Sequence, residues 1–96
     1  MTEAERHQEI GKSTLELTEQ RRRLDGLKSQ ASGLSSALKR AAQRLEDRAN
    51  GRDSSQDELK CPEADDVAVT YHSMAEAAER VRAASERLKQ LGVSLG

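Results

Sequence analysis

The stretch IGKSTLELTEQRRRLDGLKSQASGLSSALKRAAQRL, residues 10–45, decides the fold. Apolar residues return at every seventh position: Ile10, Leu17, Leu24, Ala31, Leu38 and Leu45. A second row, three residues further on, runs Ser13, Gln20, Leu27, Leu34, Ala41 and Arg48, and is apolar only in its middle. Two such rows are the a and d positions of a helix that buries one stripe against a neighbour. Strand-type alternation is absent and β-branched residues are few.

Boundary signals frame this helix. Thr2 with Glu5 three residues later reads as a capping box. Asn50-Gly51 reads as a stop, because both residues tolerate the left-handed conformation. The first helix is therefore expected over about residues 3–49. Residues 50–61 lack periodicity and read as a loop, in which Ser55 and Glu58 could cap one short turn. Pro62 suits a helix's first turn, where a missing N–H costs nothing. A second helix is expected from about residue 62 to 91, stopped by Gly92.

The second helix offers two rows of its own: Val67, Met74, Val81, Leu88 and Leu95, and Tyr71, Ala78, Ser85 and Gly92. In an antiparallel pair, facing residue numbers add to a constant. A sum of 112 pairs Leu45 with Val67, Leu38 with Met74, Ala31 with Val81, Leu24 with Leu88 and Leu17 with Leu95. It also sets Tyr71 against Ala41, Leu34 against Ala78, Leu27 against Ser85 and Gln20 against Gly92. Large residues then face small ones, as close packing requires. The expected fold class is thus all-α, a long antiparallel coiled-coil hairpin forming one domain over residues 1–96, with scope to pair into a four-helix bundle. In this register residues 2–16 project beyond the hairpin, and Ile10 has no partner in its own chain.

Composition bounds the function. Of 96 residues, 34% are hydrophobic and 34% charged, with one aromatic, Tyr71, and no Trp or Phe. A compact globule rests on large side chains that each bury much area, and these are scarce here. The lone Cys61 precludes an intrachain disulfide and fits a reducing compartment. No apolar run has the ~18 residues of a membrane span. The polar, acidic start, Met1 to Glu5, is unlike a signal peptide, so a cytoplasmic location is expected. His7 and His72 are far apart in the hairpin and cannot share a metal with Cys61. No nucleophile–base pair, glycine-rich phosphate loop or metal-ligand spacing is present. The chain is therefore expected not to be an enzyme and to hold no cofactor or metal.

Several surfaces stand out. Gly26, Ser29, Ser32, Gly33 and Ser36 form a small-residue stripe on outer positions of the first helix. Each interior glycine costs about 1 kcal/mol relative to alanine, and small residues let another backbone approach closely. With Ile10 and Leu15 of the projecting end, this stripe is the expected partner-binding surface. Alanines also flank both seams, among them Ala68, Ala75, Ala77 and Ala84 in the second helix, and widen the apolar face.

Charge is segregated. Residues 1–20 carry net −3, residues 21–52 net +6, residues 53–66 net −5 and residues 67–96 net +1. The basic segment holds Arg21, Arg22, Arg23, Lys39, Arg40, Arg44 and Arg48. A nucleic-acid-associated accessory protein is therefore the alternative reading. Against it stand a pI of about 6.1, the lack of aromatics for base stacking, and an acidic loop placed to neutralise the end of the basic segment. The leading reading is a protein–protein interaction module, either a homo-oligomer or an adaptor, scaffold or inhibitor with a protein partner. Its size and shape are similar to small secreted hairpins with a Trp-x-Gly bend. However, there is no Trp, and Tyr71 is followed four residues later by Ala75 rather than an acidic residue, so no family is assigned.

Overall fold

In a computed structural model, which describes residues 1–94, the chain is an extended hairpin of two antiparallel α-helices, 72 × 23 × 14 Å. Helix α1 spans Glu3–Ala49 and helix α2 spans Ala64–Gln90. No strand occurs among the described residues.

The boundaries follow local chemistry. The Thr2 hydroxyl accepts the Glu5 backbone N–H at 3.2 Å, and Glu3 and Glu5 place negative charge at the positive end of the helix dipole. Both helices end in the same way. Gly51 (φ 74°) and Gly92 (φ 82°) take the left-handed conformation that a side chain would resist. The N–H of Gly51 then bonds the Arg48 carbonyl and that of Arg52 the Asp47 carbonyl. Gly92 and Val93 repeat the pattern on Lys89 and Leu88. These are two Schellman ends, each satisfying carbonyls that the last turn leaves free. Helix α2 begins two residues later than Pro62 suggests, with Glu63 as its extended N-cap. The Ser55–Glu58 turn does not form a helix.

The register differs from the expected one. Arg87 meets Glu9 at 3.4 Å, and Arg6 Nε donates to the Leu91 carbonyl at 3.0 Å. Leu17 clusters with Ala84 and Leu88, and Ile10, Val81 and Val93 pack against that cluster. The residue numbers across the seam therefore add to 96 for Glu9 with Arg87, 97 for Arg6 with Leu91, and 101 and 105 for Leu17 with Ala84 and Leu88. Relative to a sum of 112, α2 is displaced by about seven positions or more toward the start of α1, roughly 10 Å or more at 1.5 Å per residue. Ile10 thus has partners within its own chain, and the pairing with α2 reaches back to Arg6. The pairing of Leu17 with Leu95 involves a residue outside those described.

A one-residue choice in α2 accompanies the shift. The buried rows are Val67, Met74, Val81 and Leu88 together with Thr70, Ala77, Ala84 and Leu91, not Tyr71, Ala78, Ser85 and Gly92. Ala77 is 0% exposed and Leu88 1%, whereas Tyr71 is 70% exposed. In α1 the expected rows hold from Ile10 to Leu34. Beyond that, Ala41 keeps its expected place in the second row, while the first row's burial moves to Ala37 and Arg44, leaving Leu38 37% exposed and Leu45 62% exposed. A straight helix turns through 3.6 residues, so a 3.5-residue row drifts around its surface.

Among the described residues the buried apolar set is small: Leu17, Leu88 and Leu91 with Ala41, Ala77 and Ala84. A buried leucine contributes roughly 2 kcal/mol and an alanine much less. Gln20 and Ser13 occupy interior positions of the same seam, and Gln20 Oε1 is buried without a hydrogen-bond partner.

Candidate interaction surfaces

The displacement of α2 leaves the last three turns of α1 without a facing helix. The connector, residues 50–63, fills that place by running back along them. Arg44 holds it: Nε donates to Asp53 Oδ2 at 2.9 Å, and the other guanidinium nitrogens donate to the carbonyls of Glu58 (3.2 Å) and Asp57 (3.1 Å). Arg48 donates to the Ser55 carbonyl. Asp53 Oδ1 in turn accepts the Ser55 backbone N–H at 2.9 Å. That bond, followed by the Arg44 hydrogen bond, lowers the Asp53 pKa below its ordinary value. Leu59 and Lys60 line a shallow depression with Ala37, Arg40, Ala41 and Arg44, so the connector follows this part of α1 closely.

An apolar groove opens beside the seam where connector and α2 meet. One wall is Ala31, Leu34 and Leu38 of α1, and the other is Val67, Tyr71 and Met74 of α2. The Tyr71 ring stands on its rim, edge-on to the His72 ring at a centroid separation of 5.6 Å. Leu45, one heptad beyond Leu38, faces Leu59 and Asp57 across a second depression between α1 and the connector. The groove arises directly from the register. Leu38, Leu45 and Tyr71 are the apolar residues that a seam summing to 112 would have buried.

The other candidate residues are distributed as follows. Gly26, Ser29, Ser32, Gly33 and Ser36 are all exposed on the outer face of an unbroken α1, and a Cβ at Gly26 or Gly33 would meet nothing within 4 Å. Leu15 is exposed and borders a shallow depression whose other members include Glu9, Lys12, Glu16 and Arg80. Ile10 belongs to the seam instead. Arg21, Arg22, Arg23, Lys39 and Arg40 are exposed, while Arg44 and Arg48 are engaged by the connector. The structure therefore does not keep the basic residues together as one free surface. His7, His72 and Cys61 are exposed, and among the described residues no group of three His, Cys, Asp or Glu side chains converges as a metal site would.

Sequence reasoning placed the acidic loop against the end of the basic segment, as the Arg44–Asp53 pair shows, but missed the carbonyl contacts that fasten the connector, and it missed the groove. The signal for the clamp was the acidic segment placed directly after the basic one. The signal for the groove was the surplus of apolar positions: both i+3 and i+4 partners of Val67 and Leu34 are usable, and only one of each can enter the seam.

These features define the chain as an all-α antiparallel helical hairpin whose long connector packs as a third segment on α1. No family model, curated protein or solved structure matches it. No helix is long and apolar enough to cross a membrane among the described residues.

Proposed function

We propose that the chain is a protein–protein interaction module whose binding surface is the groove between Leu38 and Tyr71. One observation carries this reading: the only aromatic residue of the chain lies 70% exposed on the rim of an apolar groove, beside a core of three leucines and three alanines. A protein that leaves Tyr71 and Leu38 in water while burying Ser13 and Gln20 places apolar surface where its own fold does not use it. Aromatic side chains at such positions are the usual anchors of protein interfaces. The small-residue stripe at Gly26 and Gly33 offers close approach but no apolar surface, so it ranks behind the groove. The chain supplies a docking surface and no chemistry of its own, which is the role of an adaptor, scaffold or inhibitor.

Site-specific photo-crosslinking in the source cells tests this. A photoreactive phenylalanine analogue at position 71 should give a discrete protein adduct that the same analogue at Arg22, on the outer face, does not. No adduct at position 71 would remove the reading.

A further inference from the structure

We infer that the connector is a latch on a sliding hairpin. With residues 50–63 held on α1, the helices keep the register of this structure. With the connector lifted, α2 advances along α1 into the alignment in which facing residue numbers add to 112, and the Leu38–Tyr71 groove closes. The inference uses the geometry of the groove and not its occupancy, so it stands apart from what binds there.

The connector and an advanced α2 claim the same face of α1. Leu59 and Lys60 line one depression with Ala37, Arg40, Ala41 and Arg44, and Leu59 lines a second with Leu45. A sum of 112 sets Tyr71 on Ala41 and Val67 on Leu45. The two occupants exclude each other, so the hairpin has two discrete arrangements rather than a continuous range.

What holds the connector is polar. Arg44 bonds the Asp53 carboxylate and the Asp57 and Glu58 carbonyls, and Arg48 bonds the Ser55 carbonyl. Leu59, the one leucine of the connector, is 44% exposed. Hydrogen bonds at an exposed surface trade almost evenly with bonds to water, so this segment is the packed part of the fold most easily lifted.

What the advance of α2 gains is apolar. The present register leaves Leu38, Leu45 and Tyr71 exposed, and it buries Gln20 with an Oε1 that has no donor among the described residues. The advanced register brings all three apolar residues into the seam. It sets Gln20 against Gly92, just past the end of α2, where water reaches it. The exchange gives up the Leu17–Leu88 cluster, the Arg87–Glu9 contact and the Arg6–Leu91 bond. Because the apolar row of α1 repeats every seven residues, Leu88 then meets Leu24 in place of Leu17. The chain also closes: Asn50 and Pro62 face each other at about 10 Å, the spacing of packed helices, which residues 51–61 span with ease. The hairpin therefore has two seams of like composition, and the position of the connector decides between them.

The test is disulfide trapping in the purified full chain carrying Cys61→Ser. Leu45→Cys with Val67→Cys reports the advanced register. In the present one Val67 lines the groove with Leu38, and Leu45 lies a heptad further along α1, about 10 Å and beyond the roughly 7 Å between Cα atoms that a disulfide tolerates. Leu17→Cys with Ala84→Cys reports the present register. Leu45→Cys with Met74→Cys faces in neither and controls for general loosening. Under mild oxidation the Leu45–Val67 link should form slowly in the otherwise unaltered chain and several-fold faster with Arg44→Ala or Asp53→Asn, while the Leu17–Ala84 link slows. The linked Leu45–Val67 chain should keep its helical circular dichroism, and fluorescence of Tyr71, the one tyrosine, should be less quenched by acrylamide. A Leu45–Val67 link that does not form, or that forms no faster than the Leu45–Met74 control in both connector variants, overturns the inference. A linked chain whose Tyr71 stays as accessible as before overturns it too.

Discussion

Arg44 Nε donates to Asp53 Oδ2 across 2.9 Å, joining the late part of α1 to the start of the connector. The same guanidinium bonds two connector carbonyls further along, so one side chain fastens three points of a segment that has no helix or strand of its own. The planar fork of arginine makes this possible, and lysine could not bridge the same three acceptors in fixed geometry.

Arg44→Ala should therefore release the connector while leaving both helices intact. Limited trypsin digestion reads this directly, because Arg52 and Lys60 lie in the clamped segment. Cleavage at those two sites should accelerate several-fold with little change in helical circular dichroism. An unchanged cleavage rate would show that the connector does not depend on Arg44.

Acid should release the same segment, at lower pH than carboxylates in general would suggest. The Ser55 N–H and the Arg44 guanidinium both favour ionised Asp53, so its folded pKa lies below the ordinary value of 3.8. A depressed carboxylate contributes stability that is fully present above its unfolded pKa and is lost as the pH falls through the lower folded value. The Ser55 amide resonance, followed by NMR, should titrate with a midpoint below 3.8, and Asp53→Asn should abolish that titration. A midpoint at or above the ordinary aspartate value contradicts the clamp geometry.

The helices themselves were legible in the sequence because three independent signals agree: the seven-residue rows, the Thr2 cap, and glycines at positions 51 and 92 with positive φ. The register was not. After Leu34 both the i+3 and i+4 residues, Ala37 and Leu38, are apolar, and after Val67 the choice lies between polar Thr70 and apolar Tyr71, where apolarity alone favours the wrong one. Thr70 is nonetheless 3% exposed. The choice is made by the connector, whose length reads as slack in a turn but is used to pack along Ala37, Ala41 and Arg44. Leu38 and Tyr71 were read as seam residues and not as part of a binding surface, for the same reason.

Paired truncations distinguish the two registers. Leu88 is fully buried against Leu17, so Leu88→Ala should cost about 3 kcal/mol in urea unfolding, in the range for cavity-forming core changes. Leu45→Ala, at an exposed position, should cost about 0.5 kcal/mol or less. A seam summing to 112 buries both leucines, against Leu24 and Val67, and predicts similar losses. Equal effects would therefore restore that register.

The glycines of the outer stripe give a test of their own. Nothing lies within 4 Å of a Cβ at Gly33, and the helix runs through it without a break. Gly33→Ala should stabilise the chain by up to about 1 kcal/mol, through the higher helix propensity of alanine. Gly33→Arg should fold equally well and, if the stripe takes a partner, should abolish that association. Association unaffected by the arginine would exclude the stripe and leave the groove as the docking surface.

Gln20 is the clearest case of a residue that works against stability. It sits at a seam position on the α1 row that continues to Leu27 and Leu34, is 8% exposed, and its Oε1 has no donor. Leaving a buried acceptor unsatisfied costs on the order of 1–3 kcal/mol, and leucine occupies a similar volume without that penalty. Gln20→Leu should accordingly raise the urea midpoint, by about 1 kcal/mol in stability, with the denaturant slope unchanged. A Gln20→Leu chain that is less stable than the wild type would mean that Oε1 has a partner and that the seam needs it.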